Sequence, residues 1–183
     1  MDSVKAGIIS AIQGAGEITD AVVDTVSGSL VNTIKRTGEV GGALTTAISE
    51  TVRGAIQGVA EVGGDVGAAA KGTVIGVLHG TKEVGGEAID TIGTTAGAVI
   101  KETAVVGGDL GKAAKGAVEG AIAGAKDVGL SAEEAASAAA SGALKAAGEV
   151  GSTAFEQVRN AVTGTISGVK VILKEPFKSE KEQ

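Results

Sequence analysis

The sequence has no cysteine, no tryptophan and no tyrosine, and only two phenylalanines, one proline and one histidine among 183 residues. Each scarcity closes a route. Without cysteine there is no disulfide framework and no thiolate chemistry. With Phe155 and Phe177 as the only aromatics, the chain lacks the side chains that normally bury about 150–250 Å² each. Any core must be built from Val, Ile, Leu and Ala. His79 alone cannot make a histidine metal cluster or a Ser-His-Asp triad. No stretch reaches the roughly 18 uncharged apolar residues that suggest a membrane-spanning helix. The N-terminus also lacks the continuous apolar run of a secretory signal. The 16 basic residues are interleaved with 22 acidic ones for a net charge of −6, so there is no basic stripe for nucleic acid. The expected location is the cytoplasm or a lipid surface.

What the chain does have is glycine, 31 residues of it, and a repeat. Glu39-Val40-Gly41-Gly42, Glu61-Val62-Gly63-Gly64 and Glu83-Val84-Gly85-Gly86 follow one another at a step of 22 residues. Val105-Val106-Gly107-Gly108 keeps that step, and weaker copies stand at Asp127-Val128-Gly129-Leu130 and Glu149-Val150-Gly151-Ser152. Fixed-period repetition of this kind decides the fold class. Residues 1–16 form a partial unit, residues 17–170 seven units, and residues 171–183 a helix end, with Pro176 as terminator, and a charged tail.

Stacking the units exposes an aliphatic ridge. It includes Val40, Val62, Val84 and Val106 in one column and Ile34, Ile56, Leu78, Ile100, Ile122, Leu144 and Ile166 in another. Apolar or small residues recur at steps of four, four and three, an 11-residue period close to the helical repeat. Strands need alternation at period two, which is missing. A β-solenoid would need turn residues at each corner, and only Asn32 and Asn160 are asparagine. The expectation is an all-α protein: a long continuous amphipathic helix or a helical hairpin, packing into a bundle or filament. A single rod of this length would extend about 255 Å. Two bends are candidates, at 93–97 and at 127–131, where Ser131 and Glu134 have the spacing of a capping box.

Each helix-interior glycine costs about 0.8–1 kcal/mol relative to alanine. Gly72, Gly76 and Gly80, and Gly116, Gly120 and Gly124, are spaced by four; Gly54 and Gly58, and Gly164 and Gly168, extend the same columns. Such ladders leave a groove in which a second backbone can lie close. The ridge and the ladder together cover too much of the helix for a two-stranded seam. Each helix therefore needs at least two neighbours.

No catalytic constellation is visible. The Gly-Gly pairs lack the spacing of a phosphate loop, and His79 shares a column with Gln57 and Lys101, a solvated position. No cofactor is implied. Built throughout of 11-residue units, the chain resembles glycine-rich hendecad coiled-coil proteins. Stretches such as Lys112-Ala113-Ala114-Lys115-Gly116-Ala117-Val118-Glu119 also resemble the repeats of late-embryogenesis-abundant proteins and, more loosely, of synuclein. That resemblance implies helix formation on association with a partner, lipid or drying, although Lys and Glu are sparser here. The functional expectation is a structural self-assembling protein whose partner is itself. The alternatives are an amphipathic lipid-binding protein and a desiccation-protective one.

Overall fold

The computed structural model describes residues 2–15, 17–37 and 41–173. Among them the chain is helical apart from one small hairpin. The helices are α1 (Asp2–Ala15), α2 (Ile18–Thr37), α3 (Gly41–Glu61), α4 (Val66–Glu83), α5 (Ala88–Val105), α6 (Leu110–Val128), α7 (Ala132–Val150) and α8 (Ser152–Val162). Strands β1 (Gly164–Ile166) and β2 (Val169–Val171) follow.

The single rod or long hairpin does not form, because the Gly-Gly pairs at 63–64, 85–86 and 107–108 are turns, while Gly41-Gly42 opens α3. Gly63, Gly85 and Gly107 have φ of +71°, +80° and +73°, a left-handed conformation that side chains disfavour. Around the first of them, Gly64 N–H donates to Val59 O at 2.9 Å and Gly63 N–H to Ala60 O at 3.1 Å. These are the two bonds of a Schellman helix end. The same pair of bonds recurs at Gly85-Gly86 and Gly107-Gly108. The next helix then restarts at once. The Asp65 carboxylate accepts from Gly67 N at 2.6 Å and Ala68 N at 3.2 Å, and Asp109 accepts from Lys112 N at 3.0 Å. Such caps are typically worth about 1 kcal/mol. At the fourth break Gly129 has φ +79° and Leu130 N–H returns to Ala125 O. Ser131 Oγ accepts from Glu134 N there and starts α7. No bend occurs at 93–97, which lies inside α5.

The short turns fold each helix back against its predecessor, and packing is strongest between helices two apart. α1, α3, α5 and α7 lie side by side in one layer, and α2, α4, α6 and α8 in the other. The core runs between and within the layers. Ile34, Ile56, Leu78, Ile100, Ile122, Leu144 and Ile166 are all at most 5 % exposed. Val62, Val84 and Val106 belong to the turns instead. Val84 and Val106 cap α4 and α5 and pack on the edge of the core. Val40 and Pro176 lie outside the described residues. The helical segment ends at Val162, well before Pro176, so Gly164, Gly168 and Ile166 stand in the β-hairpin and not on a helix.

Threonine takes part in this core by bonding to its own helix. Thr73, Thr95 and Thr103 each donate Oγ1–H to the carbonyl four residues back at 2.6–2.7 Å. Thr81 Oγ1 is buried and has no such partner. A buried hydroxyl left unbonded destabilises by about 1–3 kcal/mol, and α3 carries Val59 in the same repeat column. Thr81→Val is therefore expected to raise the urea midpoint, by about 1 kcal/mol of stability. An unchanged or lowered midpoint would show that the hydroxyl finds a bond in solution.

Candidate functional site: glycine ladders, ion-pair columns and one cleft

The ladder glycines stand where two parallel helices of one layer touch. A Cβ on Gly72 would sit 2.7 Å from Thr19 O, and one on Gly76 2.9 Å from Val23 O. Gly80 receives Leu30. The contacts advance along α2 and α4 in the same direction, so those helices are parallel. α6 repeats the arrangement on α4. A Cβ on Gly120 would lie 2.5 Å from Lys71 O, one on Gly124 2.6 Å from Leu78 Cδ1, and one on Gly116 would run into Gly67 O. In the other layer Gly54 and Gly58 receive Val4 and Ile8 of α1. Gly142 of α7, not singled out from sequence, meets the backbone of Gly93. It is one repeat beyond Gly120, and that register was the available signal. Helices this close gain Cα–H···O and dispersion contacts that any side chain would prevent. That gain offsets the helix-forming penalty of the glycines. Gly164 and Gly168, with φ of +101° and +80°, form no such contact.

Ion pairs and one histidine–aspartate hydrogen bond fasten the same helix pairs at their C-terminal ends. Lys35 reaches Glu83 at 3.3 Å, His79 reaches Asp127 at 2.9 Å, and Lys101 reaches Glu149 at 2.8 Å. In each pair the acid follows 48 residues after the base. The same columns carry Gln57 and Val105, also 48 residues apart and both uncharged. Val105 is 73 % exposed. Arg53 Nε donates to Glu102 Oε1 at 3.2 Å, and Lys5 pairs with Glu61 at 2.5 Å. The Glu149 carboxyl is held below the usual glutamate range, first by its hydrogen bond to Lys101 and then by the charge of that ammonium. A lowered folded-state pKa stabilises fully above the unfolded value and is lost as pH falls through the folded one. Lys101→Met should therefore destabilise at neutral pH, and its difference from the parent should shrink toward zero as pH falls through the lowered Glu149 value. Urea midpoints at several pH values test this. A difference independent of pH would assign the effect to packing of the lysine stem.

One interface in the stack is wider. Where α4 and α6 carry glycine, α5 presents Thr94, Ala98 and Glu102 in the corresponding columns. α3 and α5 consequently leave a depression of about 350 Å³ lined by Leu44, Thr45, Ile48, Glu87, Asp90, Thr91 and Thr94. A shallower trough of about 600 Å³ continues along α5 and α7 past Ser49, Lys101, Lys145 and Glu149. Hydroxyls and carboxylates line the first hollow beside Leu44 and Ile48, and the trough adds the ammonium groups of Lys101 and Lys145. His79, bonded to Asp127, lies in the other layer, away from both hollows. Among the described residues no group of His, Cys, Asp or Glu could hold a metal ion, and no helix is long and apolar enough to cross a membrane.

These contacts define the class of protein: a two-layer stack of short helices in which each helix touches only its near neighbours in sequence, as in solenoid repeats. Compared with known proteins, the sequence matches no family model and no curated protein.

Proposed function

We propose that this chain is a structural protein, a preformed helical block that assembles with copies of itself through the ends of its stack. The observation carrying this is that the ladder glycines of α3, α4 and α6 are filled by the chain's own helices. Those ladders are closed to helices from other chains, whereas a stack of repeats has two ends. The lipid-coating alternative meets the same fact, since the ridge it would lay on a membrane is buried between the layers. Anionic or neutral vesicles should leave the far-ultraviolet circular dichroism unchanged.

Sedimentation velocity and circular dichroism over one concentration series test the proposal. Helicity is expected to be constant while the weight-average mass rises reversibly above the 17.6 kDa of one chain. Helicity that climbs with concentration would mean that folding needs a second chain. A mass fixed at one chain throughout would remove self-assembly as the function.

A further inference from the structure

The hairpin that follows α8 is written in the register of the helices. Gly164 stands one repeat after Gly142, Ile166 after Leu144, and Gly168 after Ala146. A helix running on through residue 170 would match the 19 residues of α6 and of α7. Instead α8 stops after 11 residues, and the segment pairs as Gly164↔Val171, Thr165↔Lys170 and Ile166↔Val169. The two-residue turn Ser167-Gly168 has φ of +49° and +80°. Positive φ at both positions is the type I′ arrangement, which favours Asn-Gly. Serine in the left-handed region is strained, and isolated two-stranded hairpins are marginal in water.

What holds the hairpin is α7, with α6 against β1. β2 packs on that helix, Ile166 and Val171 are buried, and Ser137 Oγ–H donates to Ile172 O at 2.7 Å. The hairpin therefore covers the side of α7 on which a ninth helix would stack. We infer that residues 163–171 are a two-conformation end cap: a β-hairpin closes the stack, and helical continuation of α8 opens the α7 face to α1 of a second copy. The complementary end is in place. Ala6 and Ser10 of α1 are exposed, and Ser10 stands in the column that holds Gly54, Gly76, Gly120 and Gly142. Continuing the stack would set α1 of one copy on α7 of the next as α7 sits on α5. This inference rests on the end-to-end reading above.

Two full-length variants separate the states. Ser167→Asn supplies the preferred turn residue and locks the hairpin. Ser167→Lys with Val169→Ala installs the residues that α7 carries one repeat earlier, Lys145 and Ala147, leaving the glycine columns untouched. Backbone ¹³C secondary shifts report conformation, and sedimentation reports association. The expected result is strand shifts with association weakened about tenfold in S167N, and helical shifts over 163–171 with association strengthened about tenfold in S167K/V169A. Disordered shifts in the double variant, or equal association in all three proteins, would overturn the end cap. Equal association above one-chain mass leaves end-to-end assembly standing. Helical shifts without any association would instead remove the assembly reading and keep the conformational change.

Discussion

Gly120→Val is expected to destabilise the fold by about 3 kcal/mol or more, the upper range for overpacking a filled contact. The Cβ of the new residue would lie 2.5 Å from Lys71 O and 3.0 Å from Lys71 Cα. Both are backbone atoms of α4, which cannot rotate aside as a side-chain tip can. α4 and α6 must separate, and the close contact is lost along Gly116 and Gly124 as well. A domain of this size loses roughly 2–4 °C of melting temperature per kcal/mol, so a fall of about 6–12 °C is expected in a thermal melt. The companion variant is Gly28→Ala. Gly28 stands on α2 in the column of Gly72 and Gly116, exposed and with nothing within 4 Å of a Cβ. There only helix propensity acts, and stability should rise by about 0.5–1 kcal/mol. Opposite signs at a ladder glycine that meets a neighbour and one that faces open space would establish that the ladders are read by close approach. A loss at both would place the effect in backbone conformation and remove the ladder explanation.

The second large effect is expected at Leu78, fully buried at the centre of α4. Leu78→Ala should cost about 2–5 kcal/mol through lost transfer energy and the cavity left behind. Its diagnostic value lies in Gly124. A Cβ there would meet Leu78 Cδ1 at 2.6 Å, while its next neighbour, Ile75 Cα, is 3.4 Å away. Once the leucine is truncated, Gly124→Ala meets no obstacle and gains about 0.8–1 kcal/mol of helix propensity. Gly124→Ala should thus destabilise the parent and stabilise Leu78→Ala, a change of sign that a double-mutant cycle measures directly. Additive effects would mean that α6 does not seat on Leu78 in solution.

The ladder columns, the ridge at Ile56, Leu78, Ile100 and Ile122, and the all-helical class were legible from sequence because a periodic pattern needs only the helix. The turns were not, for a geometric reason. Twenty-two residues make just over six helical turns, about 6.1, so columns realign after Gly63 whether the helix runs on or folds back. Asp65 and Asp109 were the usable sign: a left-handed glycine, a second glycine and an N-cap acid together end one helix and begin another. Glu87 takes the same place without a side-chain cap bond, which blurs that sign. Nor can a column say whose helix fills it. The Gly72–Gly80 groove expected to take another chain holds α2. Gly164 and Gly168 kept their columns and were read as helix, since nothing local reports that α7 offers a docking face for strands.

The parallel arrangement of helices two apart also determines how the molecule gives way under load. With its ends pulled apart, a stack in which each helix rests on near neighbours yields by peeling, beginning at an end. The hairpin guards one end, while α1 has a neighbour on only one side in its layer. Each released helix-and-turn would pay out roughly 70 Å of chain, and Gly63, Gly85, Gly107 and Gly129 would mark where one release stops and the next begins. The expected force trace of such a molecule is a staircase of nearly equal treads, the mechanical counterpart of a sequence that repeats itself.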